Sequence, residues 1–386
     1  MKRIGLLPRV LVAILCGIGC SLFFPLWATR IFVTFNAVFG NFLGMFIPVL
    51  IIGLVAPAIA DIGKGAGRLL LATLLLAYLS TIASGLASYF VCRWSFPILI
   101  GSQAQALADI DMAESIAPYF TIEMPAFINV TTALVVAFIL GLGCAAIPGN
   151  TMKAWLDDLK QIVMRTISGV IIPLLPIYIF GIFLKIGMEG HVAAVMGVFF
   201  KIIFVIIGLH VAVLLVQFLL AGAVSGKNPF RSLVGMFPAY LTALGTSSSA
   251  ATIPVTLRCA KKLGVREQLA DFTVPLCATI HLPCSILKLT ACCFAISLSS
   301  GMPVDFGTYL GFILMLAVTM IAAPGVPGGA VMAALAVMSG MLGFDENMQG
   351  FVIAIYIALD SFGTAGNVTG DGAIALVMDK LFRKNA

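Results

Sequence analysis

Charge is scarce in this chain of 386 residues: Asp, Glu, Lys and Arg together make up 10% of it, against 61% hydrophobic residues. The mean hydropathy is +1.14. A soluble domain carries about 25% charged and about 45–50% apolar residues. The scarcity therefore excludes an ordinary globular fold, a disordered chain and a nucleic-acid binder. No CxxC pair and no Cys/His ligand spacing is present, and the nine cysteines sit mostly inside apolar runs (Cys16, Cys20, Cys144, Cys277, Cys284, Cys292, Cys293). That excludes a disulfide framework and a zinc site, and leaves the thiols as small apolar fillers. No A-x-A cleavage site follows the basic start and apolar stretch of residues 1–27, which reads as a retained first helix rather than a signal peptide. What remains is an all-α polytopic membrane protein.

A spanning helix needs about 20 apolar residues. Stretches near 10–27, 31–60, 69–92, 124–148, 166–184, 192–221, 268–298 and 348–378 qualify. With a cytoplasmic N-terminus, these eight helices place Lys2, Arg3, Arg9, Lys64, Arg68, Lys153, Lys160, Arg165, Lys227, Arg231, Arg258, Lys261, Lys262, Arg266, Lys380, Arg383 and Lys384 on one side. The other side receives Arg30 and Arg93 with the acidic residues Asp109, Asp111, Glu114 and Glu123. The asymmetry predicts that both termini face the cytoplasm.

Two further apolar stretches are left over. Residues 306–344 carry no charge; as one helix they would measure about 58 Å, nearly twice the hydrocarbon thickness. Pro324-Gly325-Val326-Pro327-Gly328-Gly329 at the centre breaks any helix. A re-entrant hairpin from the outer side satisfies both facts. Residues 232–257 are also uncharged, centred on Thr246-Ser247-Ser248-Ser249 and flanked by basic residues, so they predict a second hairpin entering from inside. Non-helical backbone at this depth is tolerated only where it lines a cavity or is buried in protein. The units 229–298 and 306–379 thus form an inverted repeat, which predicts a midplane site between broken helices. Two kinked spans in a plain bundle are the bland alternative.

In the C-terminal half only Lys288, Asp360 and Asp371 are charged and deep. Each such residue costs about 2.5–3.5 kcal/mol to insert and is a functional candidate by default. Asp360, Thr364, Asn367 and Asp371 are spaced four, three and four apart, one polar stripe on a helix. A packing stripe is normally Ser, Thr or Asn; two carboxylates point instead to a cation or ammonium. Asn367 and Asp371 offer the oxygen ligands that a hard cation prefers. The serine tip offers helix-end N–H groups to a carboxylate, and the Gly/Pro tip could cover a ligand and swing away. Together these features describe a site for a small zwitterion, its carboxylate on the first tip and Asn367, its ammonium on Asp360.

The segments Gly245-Thr246-Ser247-Ser248-Ser249-Ala250-Ala251-Thr252-Ile253-Pro254, Val255 through Gly264, Ala323-Pro324-Gly325-Val326-Pro327-Gly328 and Asp360 through Asp371 resemble the dicarboxylate/amino acid:cation symporters, the glutamate-transporter-like family. The likeness covers about 225–380. It implies a homotrimer in a bacterial inner membrane, working as an elevator. Its scaffold would comprise 1–65 (helices 1 and 2), 96–165 (the extracellular acidic loop and helix 4) and 166–190 (helix 5). Its transport domain would comprise 66–95 (helix 3) and 191–386, the latter with helix 6, a hairpin at 229–260, a helix at 267–298, a hairpin at 304–344 and a helix at 348–382. It implies substrate binding by Ser247, Ser248, Ser249, Ser285, Lys288, Val326, Pro327, Gly328, Asp360, Thr364 and Asn367. It further implies sodium binding by Asn367 and Asp371 with Cys277 and His281, partly through backbone carbonyls. No cofactor is expected, the partners being an amino acid, a coupling cation and membrane lipid.

The departures bear on substrate and ion. The arginine that relatives for acidic amino acids carry in the last helix is Gly363 here, and the alternative arginine in the first hairpin is Ser247. The motif Asn-Met-Asp-Gly-Thr is replaced by His281-Leu282-Pro283-Cys284-Ser285, which removes cation ligands; fewer sodium ions, or H⁺ through the histidine, are expected. Lys288 has three readings: a positive charge for an acidic substrate side chain, an internal cation paired with Asp360 or Asp371, or a lysine snorkelling past the helix end. Lysine lacks arginine's fork, which favours a neutral amino acid such as serine or threonine, with aspartate, glutamate or a dicarboxylate the alternative. An intramembrane hydrolase using Ser247 or Ser248 with His281, and a passive cation channel, are the readings from other classes.

Overall fold

The computed structural model describes residues 6–63, 67–112, 116–190, 192–321, 323 and 328–382. Every regular element among them is a helix, as expected where a backbone surrounded by lipid must satisfy its own hydrogen bonds. In order they are α1 (Leu6–Ser21), α2 (Leu26–Gly63), α3 (Arg68–Met112), α4 (Val130–Ala146), α5 (Thr151–Thr166), a π turn (Ile167–Ile171), α6 (Ile172–Met188), α7 (Val192–Ser225), α8 (Pro229–Gly235), α9 (Phe237–Thr246), α10 (Ser249–Lys262), α11 (Glu267–Ile280), α12 (Pro283–Ser299), α13 (Phe306–Met320), α14 (Gly329–Leu342), α15 (Glu346–Ala358) and α16 (Asp360–Leu381).

Among the described residues, five helical stretches are long and apolar enough to cross a membrane: Leu26–Ala60, Arg68–Gly101, Thr151–Met188, Val195–Ser225 and Glu267–Ser299. The pair α15 and α16, bent by 62°, makes a sixth. The stretches 10–27 and 124–148 are shorter as helices than expected, α1 having 16 residues and α4 having 17. Three boundaries also differ from the sequence reading. Helix α3 runs on to Met112, so Asp109 and Asp111 lie in a helix rather than a loop; Glu114 falls outside the described residues. The loop before α4 reaches Asn129, tied to α2 by Arg30 Nε donating to Ala117 O (3.0 Å) and Asn41 Nδ2 donating to Ile122 O (2.8 Å). The fifth span, expected from 166, joins the amphipathic α5 through the π turn, where Ser168 Oγ donates to Met164 O (2.7 Å). Hydropathy misses this join because α5 carries Lys153, Asp157, Asp158, Lys160 and Arg165.

Helices α1, α2, α4, α5 and α6 pack on one another. Around α12 and α16 a second group gathers: α12 lies along α3 and α7, while α16 lies along α7, α9, α10 and α11. The pairs α9/α10 and α13/α14 each fold back on themselves, and α14 also touches α2 and α4. Close helix approach in lipid depends on small residues. Gly17 shows this: a Cβ there would stand 2.8 Å from the Phe180 backbone oxygen of α6, whereas one at Gly19 would meet nothing within 4 Å. Gly17→Leu is expected to cost about 1–3 kcal/mol by overpacking and to lower the melting temperature in detergent. Gly19→Leu on the same helix should leave that temperature unchanged.

Candidate functional site

Three helix interruptions converge on α16. The first is the serine tip, where Ser247 adopts a left-handed conformation (φ 50°) and Ser248 caps α10, its side chain accepting from Ala251 N–H at 3.3 Å. The second is His281-Leu282, both non-helical, ahead of Pro283 in the first turn of α12. The third is Leu359, between α15 and α16. Each interruption frees backbone groups that must find partners in a dry interior. The second does so across helices: Asn367 Oδ1 accepts from Cys284 N–H (2.8 Å), and Asn367 Nδ2 donates to Ser285 Oγ (2.9 Å).

Around these breaks lies a small cavity of about 30 Å³, lined by Ser247, Ser249, Ser285, Asp360, Thr364 and Asn367 together with Tyr356, Ala278, Thr279, Leu282, Ala323 and Ala330. Six of the expected substrate-binding residues therefore meet in one place. A volume of this order holds about one water, less than an amino acid needs. Ser248 caps its helix and does not line the cavity, and Val326 and Pro327 lie outside the described residues. Gly328 takes part through its backbone, its N–H donating to Asp360 Oδ2 at 2.8 Å. A larger cavity of about 640 Å³ lies elsewhere, at the ends of α6, α12, α14 and α15, and includes none of the expected residues.

Lys288 lies behind the cavity wall and is completely buried, which overturns the snorkelling reading. Its Nζ stands 3.5 Å from Asp360 Oδ1, donates to Leu359 O (3.3 Å) and sits 3.6 Å from the centre of the Tyr356 ring. Asp360, expected to await a cation from the ligand, thus has both oxygens engaged. The expected common face of His281, Ser285 and Lys288 is absent, because the break before Pro283 takes His281 out of helical register.

His281 turns the other way. Its Nδ1 is 2.9 Å from Asp371 Oδ1, and its Nε2 is 3.0 Å from Ser80 Oγ, to which Gln217 Nε2 donates at 3.0 Å. The Gln217 amide donates to the Ser80 hydroxyl, and the His281 ring links that hydroxyl to the Asp371 carboxyl group. Asn367 and Asp371, expected to share a cation, have divergent partners here. The Cys277 carbonyl accepts from His281 N–H (2.9 Å); its thiol packs with Ile374 and Met378. The hydrolase dyad is not assembled, since Ser247 Oγ bonds Ser361 Oγ (2.7 Å) and His281 faces Ser80.

The sequence reading missed Tyr356, Ser361, Ser80 and Gln217. Gln217, an amide within an apolar stretch, carried a legible signal. A flanking glycine row was missed as well. A Cβ at Gly363 would stand 2.6 Å from Lys288 Nζ, one at Gly366 would meet Cys284 Sγ, and one at Gly370 would stand 2.6 Å from Gln217 Oε1 and 3.0 Å from His281 Cε1. This row is the groove into which the broken helix settles.

Removing the imidazole leaves the Asp371 carboxyl group buried without this partner, a loss of about 1–3 kcal/mol. His281→Ala is expected to lower stability in detergent by that order. Adding Asp371→Asn to it should cost less than the two single changes combined, as read from a double-mutant cycle of thermal melts.

A sequence model of the sodium:dicarboxylate symporter family matches residues 6–381. A serine/threonine transporter, SstT, of Acinetobacter baumannii strain AYE is 26% identical over 405 aligned positions, covering all of this chain and 99% of its own length. The excitatory amino acid transporter 1 of Ambystoma tigrinum is 31% identical over 274 positions, which cover 68% of this chain and 49% of the relative. Excitatory amino acid transporter 4 of Mus musculus is 30% identical over 254 positions, 64% of this chain and 45% of that one. With a match running from the first helix to the last, the chain belongs to the sodium:dicarboxylate symporter family.

Proposed function

We propose that this protein is a sodium-coupled symporter of a small neutral amino acid. The observation that carries the reading is the cavity where hydroxyls, an amide and a carboxylate from three interrupted helices meet. Ser247, Ser249, Thr364 and Asn367 offer uncharged hydrogen bonds suited to a zwitterion and a short polar side chain. The full-length likeness to a relative named as a serine/threonine transporter supports the same substrate class. The acidic alternative rests on the two relatives named as excitatory amino acid transporters; Gly363, where relatives for acidic substrates carry arginine, speaks against it.

The same proposal takes α1 and α4 as short spans, α9/α10 and α13/α14 as re-entrant hairpins, and the protein as an inner-membrane homotrimer with cytoplasmic termini. The mutually packed α1, α2, α4, α5 and α6 would be the scaffold, and α3 with α7–α16 the moving part. Gly328, at the tip of the second hairpin, lies by Leu6 at the start of α1, 3.4 Å from the position of its absent Cβ. With the N-terminus cytoplasmic, that level supports a site toward the inside, and the cavity by Lys185, Asp345 and Glu346 would be the outer vestibule. Sodium would bind at the Asp371 carboxyl group, which His281 holds here.

Proteoliposomes with sodium and pH gradients imposed separately test the function. Labelled serine, threonine or alanine should accumulate above equilibrium under the sodium gradient alone, and Asp371→Asn should reduce that uptake at least tenfold. Accumulation under the pH gradient alone would assign coupling to H⁺, and uptake that never exceeds equilibrium would make the protein a channel.

A further inference from the structure

Both oxygens of the one carboxylate in the cavity wall are already taken. Asp360 Oδ2 holds the Gly328 N–H at the tip of the second hairpin, and Oδ1 faces the Lys288 ammonium. Each oxygen keeps a second acceptor site. An amine that joins Asp360 beside Lys288, however, puts two ammonium groups on one carboxylate, and that crowding favours replacement of a partner. Replacing the backbone N–H would leave a buried amide unpaired. Replacing Lys288 exchanges one ammonium for another and leaves the charge on Asp360 balanced.

The surroundings of Lys288 allow that exchange. Its side chain lies across Gly363, in the space that any Cβ at that position would claim. The ammonium also rests on the Tyr356 ring, and Tyr356 and Asp360 both line the cavity, so Nζ is one side chain away from a bound ligand. Lys288 is buried in a helix that carries no other charged residue, and Leu359 O is its one other hydrogen-bond acceptor among the described residues. An ammonium released from Asp360 in this setting must be met by another anion, since an unpaired buried charge is costly. The ligand's own carboxylate is the anion at hand.

We propose that Lys288 is the specificity-determining residue of this carrier: its ammonium holds Asp360, yields it to the substrate's α-ammonium, and turns to the substrate's carboxylate. The inference rests on the amino-acid reading above and narrows it. Asp360 and Lys288 sum to zero, so a zwitterion leaves the site neutral. An acidic amino acid adds one net negative charge, a dicarboxylate two, and an amine without a carboxylate one net positive charge. The site is thus selective by net charge, and the selectivity comes from a pair inside the protein.

The test is ligand-induced thermal stabilisation of the purified protein in sodium buffer, which needs no transport. The probes are serine, alanine, aspartate, succinate and alaninamide, an amine that lacks the carboxylate. Wild type should be half-stabilised by serine or alanine at concentrations at least tenfold below those of aspartate, succinate and alaninamide. Lys288→Met leaves Asp360 as a net negative charge, so alaninamide should gain at least tenfold relative to serine. The charge-balanced Lys288→Met/Asp360→Asn protein should lose that gain. It also serves as the folding control, because it buries no unpaired charge.

Serine binding to wild type with an unchanged ranking in both variants would overturn this inference and leave the proposed function standing. Aspartate binding more tightly than serine to wild type, with the order reversed by Lys288→Met, would make Lys288 a side-chain anchor and overturn it as well. Stabilisation of wild type by succinate and by no amino acid would overturn this inference and the proposed function together.

Discussion

The site depends on how closely α16 approaches the broken helix formed by α11 and α12. Gly363, Gly366 and Gly370 line one strip of α16, and each faces a chemically important group: the Lys288 ammonium, the Cys284 thiol and the His281 ring. A methyl group at any of the three would need the space those groups occupy. The glycines are therefore what bring a lysine, an asparagine-capped helix end and a histidine–aspartate pair into a region almost closed to water. In lipid, where apolar burial gives little drive to hold helices together, such backbone approach is how polar partners come within hydrogen-bonding distance.

With that approach fixed, the polar groups arrange themselves into two separate sets. Asn367 is committed to the opening turn of α12, taking an N–H that Pro283 and the preceding break leave without an intrahelical acceptor. Asp360, at the start of α16, is committed to Lys288 and to the tip of the second hairpin. Asp371 is committed to His281 and through it to Ser80 on α3 and Gln217 on α7. The carboxylates are three turns apart on one helix, yet their partners come from different elements. A ligand at Asp360 and a cation at Asp371 can therefore act on different helices while sharing the rigid α16 between them.

Much of this was legible in the sequence, because in a membrane an uncharged stretch too long for one span and broken at its centre has few solutions. Both helix pairs and the polar row from Asp360 to Asp371 followed from that rule and from helical spacing. What spacing could not supply was the state of each group. The stripe was readable as a face, but Lys288 lies 72 positions before Asp360, and their pairing depends on packing between two helices. The break at His281-Leu282 was hidden for a related reason: its marker is Pro283, and proline is also at home in the first turn of a helix. Ignoring the break placed His281 on the face of Ser285 and Lys288, when it belongs with Asp371. Helix α5 was cut away from α6 because its charged face lowers the hydropathy, although the backbone continues through the π turn.

Gly363, where the resemblance implies an arginine in relatives for acidic amino acids, then reads as one half of a paired difference. An arginine side chain there would fill the groove from α16, fixed in one plane and always charged. With glycine in its place, the groove is filled from the opposite helix by a flexible lysine that carries a single point of charge. The charge remains, but it now belongs to a side chain that touches Asp360, the Leu359 carbonyl and an aromatic face, each replaceable in turn. A fork held in a fixed plane selects a second carboxylate on the ligand; a tethered ammonium that already neutralises its own carboxylate does not need one. Net charge in the site, rather than the number of hydrogen bonds offered to a side chain, becomes the quantity that separates one amino acid from another.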